Sequence, residues 1–426
     1  MTRFEPIDRP GCGCEAGEGH DALVTIDEAL ARIAAEAAAV SGREAVPLRQ
    51  ARGRVLAEPV HARAMTPPFD AAAMDGYAVS AAAFTGQGPR TFDIGGRVPA
   101  GLPARTGACP GTAVRIFTGA PLPDGADAIV MQEHTIRRGD RVAVARRPEP
   151  GENIRPAGDD MARGALVLAT GRILGPRDIA ACAAAGHGDV IVRRALRVVL
   201  LVTGDEAAEA GRALDTAQIW DVNTPMLAAA LAAPAIDLRT LRRCADDRAA
   251  IMCALAEAAK GADLVVTTGG ISVGDEDHVR PALRALGAQF VFSGVAMKPG
   301  KPVSLGRIGT ALWLGLPGNP LSAWVTWALF GTALVGALCG VVEGAPRKRH
   351  VVTGRNIRRK TGRCEIRPVR LAGFDATGRE IVDFDPSVQS NRVARLPQAD
   401  GVIFLPADAD WLPEGALVEF QPFQDA

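Results

Sequence analysis

The chain has 426 residues, and Lys+Arg equals Asp+Glu at 48 each, so the formal net charge of zero gives no bulk electrostatic case for nucleic acid or an anionic membrane. Hydrophobic residues at 48% can fill several cores, and the length fits several domains of roughly 150 residues each. The eight cysteines are scattered apart from Cys12 and Cys14, without paired zinc-site spacing, which fits a reducing cytoplasm better than a disulfide framework.

Residues 1–20 are rich in Gly, Pro and charge and lack the apolar segment of a signal peptide. They are expected to be a disordered tail, in which Cys12-Gly-Cys14 lacks the further ligands of a closed metal site. From residue 21 to 40, Leu23, Ile26, Leu30 and Ile33 recur at helical spacing, with Thr25 as N-cap. A short strand and a turn at Gly53 follow over 46–57. Residues 65–150 carry short apolar runs (91–94, 113–117, 128–131, 142–144) between Gly/Pro turns, the pattern of a small β domain. A helix over 176–185 places Pro176 at its first position.

From Arg197 the pattern changes. Apolar runs of strand length at 198–202, 264–267, 290–292 and 311–314 alternate with helical segments at 224–232, 246–260 and 278–286. This alternation predicts a parallel sheet with helices on both faces. Residues 308–342 contain no charge. Length alone permits a membrane span, but Pro317, Asn319 and Pro320 interrupt the run, so 321–342 is expected to be a buried helix. Strands and turns return over 349–426, as in a small barrel or sandwich. The expected division is a tail (1–20), a mixed α/β linker domain (21–64 with 151–194), a small β domain (65–150), a doubly wound αβα domain (195–344) and a C-terminal β-barrel (345–426).

Three Gly/Pro loops on the ends of apolar runs carry the chemistry. Thr268-Gly269-Gly270 leads through Ser272 and Gly274 to Asp275, Glu276 and Asp277. Glycines after a buried strand let backbone amides approach an anionic ligand, and Ser272 adds a hydroxyl donor. The loop is neither a Walker A loop nor a dinucleotide fingerprint. Lys298-Pro-Gly-Lys301 holds two cations in a rigid frame, which a turn alone does not need. Leu316-Pro317-Gly318-Asn319-Pro320 forms a further rigid wall. Thr203-Gly204-Asp205-Glu206 repeats the strand-to-loop geometry, and its carboxylates either hold Mg²⁺ or form a solvated cap. Asp221 either caps the next helix or contacts a ligand's heterocycle. Asp70 and Asp75 flank an alanine run, and spacing alone does not separate them from solvated loop acids. The chain thus reads as an enzyme holding a phosphorylated small molecule across the ends of a parallel sheet.

Seven motifs in order resemble one family. They are Phe69-Asp-x-x-Ala-Met-Asp-Gly-Tyr-Ala78, Ile116-Phe-Thr-Gly-Ala-Pro-Leu-Pro-Asp-Gly-Ala-Asp127, Asn153-Ile-Arg-Pro-Ala-Gly-Asp-Asp160, Thr203-Gly-Asp-Glu206, Gly269-Gly-Ile-Ser-Val-Gly-Asp275, Lys298-Pro-Gly-Lys-Pro302 and Leu316-Pro-Gly-Asn-Pro320. From about Leu23 onward the chain resembles the bacterial molybdopterin molybdenumtransferases of molybdenum cofactor biosynthesis. The resemblance implies a cytoplasmic, elongated homodimer of four-domain subunits that takes adenylylated molybdopterin and molybdate, uses Mg²⁺, and releases molybdenum cofactor and AMP. It implies molybdopterin adenylyltransferase and molybdoenzyme maturation factors as partners, and neither nucleic acid nor membrane. By carry-over, Asp75, Asp160, Glu206, Asp246 and Asp277 are the acidic catalytic set, with Asp205, Glu206 and Asp277 at the metal. Lys298 and Lys301 hold anions. Thr203, Gly204, Asp221, Gly269, Gly270, Ser272, Gly274, Asp275, Pro317, Gly318, Asn319 and Pro320 surround the cofactor.

Two departures stand out: Ala71 and Ala72 replace the family's usual Asn-Ser, and Ser390-Asn-Arg-Val-Ala-Arg395 replaces a Ser-Gly motif. They keep in view a non-catalytic cofactor carrier or scaffold, and the resemblance of the doubly wound domain to the adenylyltransferase module keeps a second alternative, an adenylyltransferase acting on molybdopterin.

Overall fold

A computed structural model describes residues 23–85, 89–271, 277–342, 348–385 and 391–423. The tail with Cys12 and Cys14, the loop residues Ser272, Gly274 and Asp275, and Ser390 lie outside the described residues.

One six-stranded sheet comprises β1 (Leu196–Thr203), β2 (Ile236–Cys244), β3 (Leu264–Thr268), β4 (Gln289–Ser293), β5 (Ser304–Ile308) and β6 (Ala311–Leu316), in the order β2-β1-β3-β6-β5-β4. Alternation along the strands sends side chains to two cores. Val198, Leu200, Val202, Leu264, Val266, Leu312, Leu314 and Leu316 join one. Val199, Leu201, Val265, Ala311 and Trp313 join the other. Being apolar on both faces is what a strand covered by helices on each side requires. Each fully buried apolar side chain contributes about 1.5–3 kcal/mol. The Trp313 indole N–H finds a buried partner in Thr267 Oγ1 at 3.0 Å.

The helices α1 (Asn223–Ala230) and α4 (Pro320–Leu338) cover the first face, and α2 (Arg248–Ala259) and α3 (Val279–Ala285) the second. The helix Ile26–Glu36 also packs into the first core through Ile26, Ala29 and Ile33, with Thr25 Oγ1 accepting the Glu28 N–H at 3.1 Å. Helix α4 is long and apolar enough to cross a bilayer by length and composition. Its Leu321, Val325, Leu329, Phe330 and Leu334 are core residues. It stops at Leu338, short of the expected end, and Val342 is exposed.

The sheet corrects the all-parallel expectation. β2, β1, β3 and β6 run parallel, but β5 is antiparallel to both β6 and β4. Ile308 pairs with Ala311, so only Gly309 (φ +57°) and Thr310 turn the chain. A two-residue loop can join only antiparallel strands.

Two further large sheets and several two-stranded pairs make up the rest of the described strands. Gly76–Val79, Arg90–Val98, Thr112–Ile116, Ala128–Met131, Thr135–Arg138 and Arg141–Val144 form a second six-stranded sheet. Flanking this sheet in sequence, Arg43–Pro47 pairs antiparallel with Asp189–Arg193. Near the C-terminus, Arg349–Thr353, Cys364–Phe374, Glu380–Asp383, Gly401–Leu405 and Leu417–Pro422 each pair with two neighbours and so close a five-strand barrel. Met297–Lys298 adds to this barrel in parallel with Cys364 and Glu365.

Candidate active site

The chain leaves β1 through α1 to the sheet edge at β2, then returns over β1 through α2 to β3. Strand order therefore reverses between β1 and β3, which opens a crevice at their carboxyl ends. The register brings the ends level, with Val202 opposite Thr268 and Thr268 opposite Leu316. Three of the expected loops thus meet at one rim: Thr203–Glu206, Thr268–Gly270 and Pro317–Pro320.

Hydrogen bonds lock the rim. Thr268 Oγ1 donates to Pro317 O at 3.0 Å, and Asn223 Nδ2 donates to Thr268 Oγ1 at 3.0 Å and to Gly318 O at 2.7 Å. Asn223 was not among the sequence candidates, and Thr268 entered only as the start of the glycine loop. An Asn at a helix start after Asp221 reads as a cap, and nothing in the spacing marks it as a bridge. Asp221 itself is buried, and its Oδ1 accepts the Thr224 N–H at 3.0 Å, which gives it a capping contact. Gly269 N–H donates to Leu316 O at 3.2 Å, so this amide is engaged in the rim and does not face a phosphate, contrary to the expectation.

The charged candidates surround this frame. Asp205 and Glu206 are exposed at the end of β1. Asp205 Oδ1 accepts the Asp246 N–H at 3.3 Å, which draws the segment before α2 to the same loop. Asp277 precedes α3, whose Arg280 donates to Pro302 O at 3.2 Å and to Ser304 Oγ at 2.9 Å. Arg280 thereby holds the end of the Lys298–Pro302 loop. Lys298 and Lys301 are exposed, and Gly300 lies so close to α4 that a Cβ there would meet Thr326 Cγ2 at 2.5 Å. Among the described residues no three His, Cys, Asp or Glu side chains converge as a metal site, so Asp205, Glu206 and Asp277 do not form a closed triad.

Gly269 is held at φ +91°, and a Cβ there would lie 2.9 Å from both Thr203 O and Thr203 Oγ1. Gly269→Ala should cost about 1–3 kcal/mol in left-handed strain and displacement of the β1 end. The measurement is the urea midpoint. An unchanged midpoint would mean that the rim relaxes freely around a side chain.

Asp75 and Asp160 lie in the N-terminal module. Asp75 Oδ1 accepts the Thr118 N–H at 2.8 Å and the Thr118 hydroxyl at 2.7 Å. These two bonds, the backbone one foremost, hold its carboxyl below the usual range, so it is ionised at neutral pH. Gly76 beside it has no room for a side chain, since a Cβ would lie 2.0 Å from Val130 O. Asp70 braces a neighbouring segment of the same module. Its Oδ1 accepts the Ala157 N–H at 2.8 Å and ties down the loop that bears the exposed Asp160. Asp160 N–H donates to Thr66 O at 2.9 Å.

On the barrel, a cavity of about 880 Å³ is lined by Arg355, Arg370, Asp383, Asp385, Asn391 and Arg395, and reaches Leu321 just beyond the Pro317–Pro320 loop.

Residues 24–186 match the MoeA N-terminal region (domain I and II), 199–336 the probable molybdopterin binding domain, and 350–423 the MoeA C-terminal region (domain IV). A molybdopterin molybdenumtransferase of Haemophilus influenzae is 35% identical over 349 residues, 81% of this chain and 85% of that relative. The chain belongs to the molybdopterin molybdenumtransferase (MoeA) family. Molybdopterin molybdenumtransferase 2 of Mycobacterium tuberculosis is 34% identical over 384 residues, 88% of this chain and 93% of that relative. The crystal structure of a molybdopterin biosynthesis MoeA protein from Pyrococcus horikoshii superposes with a TM-score of 0.79 at 28% identity, covering 94% of this chain and all of that one. Ala71 and Ala72 form a strand paired with Ile154 and Arg155 and are 5% and 0% exposed, so unpaired polar groups there would be costly.

Proposed function

We propose that this chain is a molybdenumtransferase that places molybdenum from molybdate onto the dithiolene of molybdopterin. The observation that carries this reading is the rim at the ends of β1, β3 and β6, built from the family's own motifs on a chain that spans most of its relatives. We further propose adenylylated molybdopterin as the substrate form, with AMP released. The crevice loops Thr203–Glu206, Thr268–Gly270 and Pro317–Pro320, with Asp221 behind them, would hold the pterin and its phosphate. Lys298 and Lys301, free to extend, would meet the oxyanion charge of phosphate or molybdate. The five-module division given above fits this assignment, with the six-stranded mixed sheet in the cofactor domain.

The donor set suits Mg²⁺. Two exposed carboxylates, Asp205 and Glu206, sit on one loop, and Mg²⁺ takes one or two protein carboxylates with water and phosphate oxygens making up the rest. When bound, the ion would offset charge on the phosphate as the anhydride breaks. Asp246 stays near this pair through its N–H bond to Asp205, and Asp277 approaches from the start of α3.

Asp75 and Asp160 would reach the crevice from a second copy in a homodimer. Apolar exposure supports an interface on both sides: Phe69 and Met74 are each 43% exposed beside Asp70 and Asp75, and Ile219 and Trp220 are 59% and 54% exposed beside Asp221. The six described cysteines are free thiols, which suits a cytoplasmic protein handing its product to molybdoenzyme maturation factors and receiving substrate from molybdopterin adenylyltransferase.

The test is AMP release from adenylylated molybdopterin on addition of molybdate and Mg²⁺, followed by chromatography. Molybdate-dependent AMP is the expected result. Synthesis of the adenylate from ATP would instead identify an adenylyltransferase, and neither reaction would leave a carrier.

A further inference from the structure

Asn223 is 8% exposed and bridges two rim loops with one amide group. Its orientation is fixed chemically. Gly318 O accepts only, so the atom 2.7 Å away must be the NH₂ nitrogen. Thr268 Oγ1 spends its proton on Pro317 O and so accepts the second Asn223 N–H. The result is a directed relay from α1 through β3 to the loop after β6. The Asn223 Oδ1 atom is buried and receives no hydrogen bond from any described residue. An amide kept only for packing would have both ends satisfied, since an orphaned buried acceptor is costly.

Resting on the function proposed above, we infer that Asn223 is a positioning residue. Its NH₂ group clamps the Thr268–Gly270 and Pro317–Gly318 loops at the spacing the pterin ligand needs, and its Oδ1 is held vacant for an N–H or O–H donor of that ligand. The clamp acts on ground-state binding, so its loss should raise the half-saturating concentration of ligand and leave the rate at saturation nearly unchanged.

The experiment measures molybdate-dependent AMP release as a function of adenylylated molybdopterin concentration. Asn223→Ala should raise the half-saturating concentration on the order of tenfold to a hundredfold. Asn223→Asp has the same size but cannot donate to Gly318 O, so it should be no better than alanine. Thr268→Ser keeps the hydroxyl relay and should preserve half-saturation, whereas Thr268→Val should not. A second arm needs no substrate: amide hydrogen exchange of peptides covering Thr268–Gly270 and Gly318–Asn319 should accelerate in Asn223→Ala, with exchange in β1 unchanged. A folded Asn223→Ala protein with wild-type half-saturation and wild-type exchange overturns the inference, as does an Asn223→Asp protein that behaves as wild type. Absence of AMP release by the unmodified protein overturns the proposed function instead, and the exchange arm then still decides whether the clamp exists.

Discussion

Replacing Glu365 by Gln should lower stability by about 3–5 kcal/mol, the cost of leaving buried charge uncompensated. Glu365 lies in the barrel wall between two arginines. Its Oε1 meets Arg367 Nε at 2.6 Å and its Oε2 meets Arg359 Nε at 3.5 Å, and all three side chains are 2–5% exposed. Arg359 cannot swing away to water, because its guanidinium also donates to the carbonyls of Pro406, Arg363 and Ala409. Glutamine keeps the shape and removes the charge, so the loss is electrostatic rather than a cavity. The consequence reaches the site: Glu365 is the register partner of Lys298, so a loosened barrel edge loosens the lysine loop. Denaturant unfolding checks the first part. The exposed pair Lys260–Glu257, at 73% and 58% exposure, is the control, and Glu257→Gln should move stability by no more than about 0.5 kcal/mol. Equal small effects at both positions would mean that the barrel interior admits water to the triad.

The central parallel strands β1, β3 and β6 were legible because their apolar runs are continuous. Val198 to Val202 and Leu264 to Val266 announce burial on both faces, and the Gly-rich loops after them mark the carboxyl edge. The strands that were not legible lack this signal. β2 carries Asp237 and Arg239 within its span, compatible with its place at the sheet edge, and reads as a polar segment. β5 is interrupted by Gly306, whose missing Cβ leaves room for Gln289 O on the adjacent strand, where one would approach to 2.9 Å. Gly76–Val79 was hidden for the same reason, since its first residue is a glycine demanded by close backbone approach.

The candidate site divides along a similar line. Loops that end strands could be found from local sequence, because strand, turn residue and charge are adjacent there. Bridges between loops could not. Asn223 and Thr268 are 45 residues apart, and Arg280 reaches Ser304 across 24. Their roles depend on how the helices dock on the sheet, which no local spacing encodes. The helix Ile26–Glu36 makes the same point. Its amphipathic face was plain, but its packing onto the core beside β4 follows from the bridge of Val24 to Val295, far along the chain.

Asp75→Ala and Glu206→Ala should each be inactive alone and should complement each other in the proposed homodimer. The reasoning starts from where each acid is fixed. Glu206 stands at the end of β1 in the crevice, whereas Asp75 is anchored by Thr118 within the N-terminal module. If each site combines Asp75 of one subunit with Glu206 of the other, a mixed dimer has one site with both acids lost and one site intact. Random exchange of equal amounts makes half of the dimers mixed, so about a quarter of the unmodified activity should return. The measurement is AMP release after exchange, with mixing verified by differential tags. Recovery near a quarter fixes Asp75 as a residue donated across the interface. No recovery despite verified exchange would place both acids in the same subunit's site or remove Asp75 from it, and the exposed apolar surface around Phe69 and Met74 would then need another partner.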